Sequence, residues 1–427
     1  MTEELARPGG TVPPAAAGGP TTPAAATPQR SRIRGLDGPR GLACWAVVIV
    51  HVAVHHSPDT MSRGGLQLLG QALIFFFALS GFLLYLPYVR DLLRERQSPP
   101  DVRMYLTHRV LRVFPAYLAI FLVVNFVLQA SFLANEYAVS ETGEGTGTGM
   151  ITDPWMLLTN LSLTQTYFPQ YLQTGISPAW SLTLELVFYV SLPLFGMAMW
   201  WLRRRFGTHA ALLVVGPPVL LIIVGTIGKL VAGKVAAAEG ITDVTEQNWG
   251  PNAAAVILRS FFAASDNFAF GMLATAAFVA VGAGHISARI ARRLRVGAVI
   301  ALVPSLMAML LLIAAGSSFQ STFTALASAL VILIIVLPLA SGQDSRLASV
   351  LDWKPFDYSG QVSLSIYLWH FPLIIVLGRL GWLQGDSVPG LAINIALVGA
   401  VTLVFASLSY HYVEKPAMTL ARKLRTR

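Results

Sequence analysis

Residues 34–56 read R-G-L-D-G-P-R-G-L-A-C-W-A-V-V-I-V-H-V-A-V-H-H, and the fold class follows from this stretch. It opens with arginine and a turn-like Gly35-Leu36-Asp37-Gly38-Pro39. It then becomes almost wholly apolar, yet His51 lies well inside the apolar run. If Arg40 to His51 is helical, the spacing returns nearly to the starting face after a rise of roughly 16 Å, about half of a bilayer's hydrocarbon core. Arg40 is then expected at the cytoplasmic interface, with His51 projecting from the same face near mid-membrane. A polar group at that depth is costly unless partnered, which makes His51 a candidate functional residue. The plainer reading is a histidine hydrogen-bonded to a neighbouring helix.

Composition widens the argument to the whole chain. Of 427 residues, 55% are hydrophobic and only 12% charged. Soluble domains carry about 25% charged residues, so too little polar surface is available to face water. The expected class is an all-α polytopic membrane protein. The single cysteine, Cys44, lies inside the first apolar run, so no intramolecular disulfide forms. The N-terminus lacks the apolar core of a cleavable signal peptide.

Residues 1–32 are rich in Pro, Ala, Gly and Thr and read as a disordered cytoplasmic tail. The membrane domain is expected over 33–420, with a basic tail at 421–427. Ten spans are expected, at 41–57, 66–88, 113–133, 178–201, 210–232 (interrupted by Pro217-Pro218), 253–281, 297–315, 322–341, 361–381 and 391–412. With both termini cytoplasmic, 25 of the 30 Lys and Arg residues fall on the inside, leaving five outside. The positive-inside rule predicts this asymmetry. The net charge of +9 therefore requires no nucleic-acid partner. A long acidic, Gly/Thr-rich loop at 134–176, with Trp155 and Tyr167, lies outside. It suits sugar stacking, and equally a flexible connector.

Three further places put polar chemistry at depth. Glu185 lies about 10 Å below Pro178 by helical rise, with Ser181 and Tyr189 on its face. Ser363, Tyr367 and His370 share one stripe of the span at 361–381. Asp266 sits beside Asn267 near mid-membrane. Singly, each is explained by helix–helix hydrogen bonding or an ion pair; together they outline a water-accessible site. Arg109 and Arg112, at the mouth of the third span, read as positive-inside anchors or, with Arg40, as a phosphate clamp. A coenzyme A thioester has the matching shape, with phosphates at one end and a reactive carbonyl on a long arm.

These segments resemble the acyltransferase 3 family of integral-membrane O-acyltransferases over residues 33–420. The resemblance rests on G-L-D-G-P-R-G-L-A with Arg40-x10-His51, F-F-F-A-L-S-G-F and T-H-R-V-L-R-V-F-P. S-P-A-W-S-L-T-L-E-L-V-F-Y, D-N-F-A-F-G-M-L, G-Q-V-S-L-S-I-Y-L-W-H-F-P and V-E-K-P follow in order. It implies a ten-helix core in the bacterial inner membrane that moves an acyl group, usually acetyl, from cytosolic acyl-CoA to a hydroxyl of a cell-envelope sugar or glycolipid. Carried over by position, His51 is the catalytic base, Arg40 its motif partner, and Glu185 an active-site residue. Arg40, Arg109, Arg112, Tyr367 and His370 are assigned to the donor; Trp180, Ser181 and Asp266 to the acceptor. No metal and no permanently bound cofactor are expected.

The chain departs from the family pattern at Pro39, at Leu186 (where many members carry a second acid) and at Ala264 (where many carry Arg). No hydrolase-like domain follows the tenth span, so a one-domain member is expected. The expected chemistry is proton removal from an acceptor hydroxyl by neutral His51. Glu185 orients the imidazole or holds the sugar, and Tyr367 or Ser365 donates to the oxyanion. An acyl-histidine intermediate stays open. The alternatives are an intracellular macrolide-type acceptor, a proton-coupled transporter, for which no internal repeat is found, and an inert binding relative.

Overall fold

In hydrocarbon, each backbone N–H and C=O must find its partner within its own segment, so long apolar runs become helices. The structure, a computed structural model, describes residues 33–137 and 147–425. The expected tail at 1–32, the acidic stretch around Glu141 and Glu144, and residues 426–427 lie outside the described residues. Arg34–Arg427 form one compact unit.

Among the described residues, nine helices are long and apolar enough to cross a membrane, and a tenth if one bent pair counts as a span. The principal helices are α1 (Asp37–His56), α2 (Ala72–Leu93), α3 (Val102–Leu122), α4 (Trp180–Phe206) and α5 (Ala210–Ala238). They continue with α6 (Phe261–Gly282), α7 (Ala288–Ala314), α8 (Gln320–Ala340), α9 (Lys354–Gln361), α10 (Ser363–Arg379) and α11 (Val388–Ser409). Helix starts are capped in water-facing segments: Asp101 accepts from the Met104 amide at 2.6 Å and Ser387 from the Gly390 amide at 3.0 Å.

Four departures from the sequence reading matter for the site. Helix α3 begins at Val102, eleven residues before the expected span, so Arg109 and Arg112 are helical rather than in the segment ahead of the helix. Helix α5 runs unbroken through Pro217-Pro218, both buried against neighbouring helices. Packed neighbours shield the freed backbone groups from lipid, which is how transmembrane helices tolerate proline. The expected span at 361–381 is present as α10, but a helix placed in a loop by the sequence reading, α9, joins it at a 77° bend at Val362. Polar α9 lies across the start of α1, where Gly41 and Gly360 leave no room for a Cβ, while apolar α10 enters the bundle. Finally, the described part of the 134–176 loop is built rather than slack. It contains the helix Pro154–Leu161 capped by Asp153, and its Thr148–Gly149 pairs antiparallel with Ser131–Phe132 just ahead of the loop. Arg379 clamps it with bonds to the Gln129 carbonyl (2.8 Å) and the Thr148 hydroxyl (2.7 Å).

Helices α2 and α6 approach most closely at two glycines. A methyl on Gly271 would overlap the Ala78 carbonyl, and one on Gly81 the Phe268 carbonyl. Small residues at a membrane helix crossing let the backbones meet. Gly271→Ala is therefore expected to cost about 1–3 kcal/mol, as overpacking does. A lowered melting temperature of the detergent-solubilised protein would register it; an unchanged one would mean the helices separate freely.

Candidate active site

A cavity of about 220 Å³ opens between α1, α2, α3, α4 and α10. Arg40 enters it from α1, Arg109 and Arg112 from α3, and Glu185 with Tyr189 from α4. Ser80, Ser181, Ser363 and Tyr367 complete its polar wall, and Phe76, Phe77 and Leu79 form the apolar side. Three guanidiniums and one carboxylate line the cavity. The Arg40 guanidinium donates to Asp37 at 2.7 Å, which fixes it at the start of α1. Arg109 Nε is buried and has no hydrogen-bond partner among the described residues, so donor capacity there is unspent. A guanidinium edge of this kind suits phosphate.

Glu185 is held on both oxygens, accepting from Ser80 Oγ at 3.0 Å and from Tyr189 OH at 2.6 Å. Orientation of His51 therefore comes from elsewhere: its Nδ1 lies 2.8 Å from Nε2 of fully buried His370. The rings stack at 5.0 Å and 22°, and Phe371 packs edge-on to His51. The hydrogen-bond network sets the tautomers. His370 Nδ1 faces the Ile366 carbonyl at 3.2 Å, and a carbonyl only accepts, so this nitrogen carries a proton. In a neutral ring Nε2 is then an acceptor, and the shared proton belongs to His51 Nδ1. His51 Nε2 is left with its lone pair, the form a general base requires.

Two hydroxyls expected at an oxyanion are engaged. Tyr367 OH donates to the Pro178 carbonyl at 2.7 Å, with Ser181 Oγ 2.8 Å away. Ser365 Oγ donates to Glu414. Ser181 lies in the cavity as expected, and Tyr367 both lines it and stands 5.8 Å from the His370 ring. The histidine pair thus adjoins the cavity wall, and His370 is turned to His51 rather than into the cavity. Trp180 is buried outside the lining, packed at 5.6 Å on Trp249. Asp266 is likewise outside it: both carboxylate oxygens meet Lys229 Nζ, at 2.7 and 2.6 Å, and Thr322 donates to it at 2.5 Å. Three donors thus hold Asp266 in an ion pair away from the cavity lining.

A family profile described as an acyltransferase domain matches residues 33–411. The chain belongs to the acyltransferase 3 family. It is 23% identical over 393 residues to the peptidoglycan O-acetyltransferase OatA of Listeria monocytogenes, which covers 91% of this chain and 56% of that protein. It is 35% identical over 85 residues to the putative peptidoglycan O-acetyltransferase YrhL of Bacillus subtilis, 20% of this chain and 13% of that one. The chain thus spans little more than half the length of the first relative. No solved structure matches it.

In this acyltransferase 3 chain, sequence reasoning missed three groups. Lys229 carries a visible signal, a lysine inside an apolar run, but only the fold pairs it with Asp266. Ser80 sits in F-F-F-A-L-S-G-F as one hydroxyl among many. Glu136, bonded to His55 Nε2 at 3.1 Å and to Ser177 Oγ at 2.9 Å, lies in a loop whose path the sequence does not fix.

Proposed function

We propose that the protein is an O-acyltransferase of the plasma membrane, moving an acetyl group from cytosolic acetyl-CoA to a sugar hydroxyl of the cell envelope. The observation that carries the reading is a cavity lined by three arginines, with unspent donor capacity on Arg109, beside a histidine held in its base-competent tautomer. The relatives' names support acetyl as the acyl group and a glycan such as peptidoglycan as acceptor. The distribution of Lys and Arg supports cytoplasmic termini and a donor arriving from the Arg40 end.

In this mechanism Arg40, Arg109 and Arg112 hold the donor phosphates, and the pantetheine arm runs past Tyr367 towards His51. His51 Nε2 takes the proton of the acceptor hydroxyl as its oxygen attacks the thioester carbonyl. The tetrahedral adduct collapses, the C–S bond breaks, and the imidazolium returns the proton to the departing thiolate. His370 accepts from His51 Nδ1–H throughout and so stabilises the imidazolium, the part an aspartate takes in a serine-protease triad. Glu185 offsets the charge of the arginines between turnovers.

Membranes carrying the protein, supplied with radiolabelled acetyl-CoA, are expected to label envelope glycan. Replacing Arg109 and Arg112 together by glutamine should raise KM for acetyl-CoA by about tenfold or more, with a smaller effect on kcat, as loss of charge-assisted phosphate contacts does. An unchanged KM would place the donor elsewhere. Label on a small cytosolic acceptor with none on glycan would favour the macrolide-type reading.

A further inference from the structure

Arg259 is a cation outside the donor cavity and without a described carboxylate partner. It follows the short helix Ala253–Leu258 and precedes α6, at the bundle end away from Arg40, where α4 begins. Its guanidinium lies 3.4 Å from the Trp249 ring centroid and 4.8 Å from that of Trp180. Nε donates to the Asn248 carbonyl at 3.1 Å, and no described carboxylate lies within ion-pair distance. Stacking on an indole holds the guanidinium plane while its N–H groups point outward in that plane. With Nε spent, the two terminal nitrogens remain as a fork of the kind that binds a carboxylate or phosphate.

The neighbours of this fork connect it to the site. Trp180 is followed by Ser181, which lines the cavity. Pro178 accepts from Tyr367. Ser177 bonds Glu136, which bonds His55, one helical turn beyond His51. The segment 177–181 therefore lines the cavity at Ser181, reaches His55 through Glu136, and carries Trp180 against Arg259.

We propose that Arg259, held between Trp249 and Trp180, binds an anionic group of the acceptor glycan, a sugar carboxylate or phosphate, and so selects acidic acceptors. This rests on the acyl-transfer reading for its purpose, but binding is measured without the donor. The test uses the full chain in lipid nanodiscs, followed by tryptophan fluorescence. The probes are the disaccharide N-acetylglucosaminyl-N-acetylmuramic acid, the same disaccharide with its carboxyl reduced to an alcohol, and N-acetylglucosamine 1-phosphate.

The wild type is expected to bind at least one anionic probe about tenfold or more tighter than the reduced disaccharide, the worth of a charge-assisted fork. Arg259→Gln should erase that preference, and Arg259→Lys should keep part of it. Preference for the carboxylate or for the phosphate identifies the source of the anion. Equal wild-type affinity for all three probes overturns the proposal, as does an Arg259→Gln variant that weakens all three alike, the mark of a structural clamp. If Arg259→Gln does not fold, the wild-type comparison and Arg259→Lys decide. Transfer of label from acetyl-CoA, measured separately, tests the enzymatic reading. Anion preference without transfer would sink that reading alone, and transfer without anion preference would sink this one.

Discussion

His51→Ala is expected to reduce acetyl transfer by about 10²–10⁴-fold in kcat, the usual contribution of a general base. KM for acetyl-CoA should hardly move, because the proposed mechanism puts the donor's phosphates on the arginines and not on His51. His370 separates this account from a simple packing role. His370→Leu removes the acceptor for His51 Nδ1–H and should cost about 10–100-fold in kcat, since the base then samples the wrong tautomer and its imidazolium loses a partner. His370→Gln retains a carbonyl oxygen able to accept and should recover part of that loss. Glu185→Gln, by contrast, should act mainly on KM, because the Glu185 oxygens contact Ser80 and Tyr189. These values come from steady-state transfer of radiolabelled acetyl. A His51→Ala protein with wild-type kcat would remove the proposed base, and equal losses in the two His370 variants would reduce His370 to packing.

The second large effect concerns stability. Lys229 and Asp266 lie between α5 and α6, exposed by 3% and 0% respectively, with the lysine also donating to the Ala263 carbonyl at 2.9 Å. Breaking a buried pair by removing one partner strands the other charge and typically costs about 3–5 kcal/mol. Lys229→Met alone should therefore lower stability by about that amount. The double variant Lys229→Met/Asp266→Leu should regain most of it, because two apolar side chains restore a neutral interface. Thermal melting in detergent measures both. Were Lys229→Met harmless, Asp266 would have to be neutral within the bundle. Were the double variant as unstable as the single one, the pair would contribute more than charge balance.

Much of the site is legible from composition at depth. Arg40, His51, Arg109, Arg112, Ser181, Glu185 and Tyr367 stand out as polar residues in or beside apolar spans, and the fold gathers all but His51 around one cavity. Asp266 stands out by the same criterion yet belongs to a separate ion pair, because depth alone says that a charge needs a partner, not which partner. Its partner Lys229 sits 37 residues earlier, a separation at which no periodicity links two helices. Tyr367 and Ser365 show the same limit for hydroxyls. Their residue type permits donation to an oxyanion, but the carbonyl of Pro178 and the carboxylate of Glu414 accept those hydrogen bonds.

By itself the sequence determined that this chain crosses a membrane on helices, roughly where each span lies, and which residues carry polarity into the bilayer. Those properties follow from transfer free energies and helical periodicity, which act along the chain. Only the tertiary structure decided the pairings between helices: His51 with His370, Glu185 with Ser80, Asp266 with Lys229, and Arg259 with two indoles. A side chain's proton state and hydrogen-bond direction depend on the atom it meets across the helix interface. Here that atom comes from a residue up to 319 positions away.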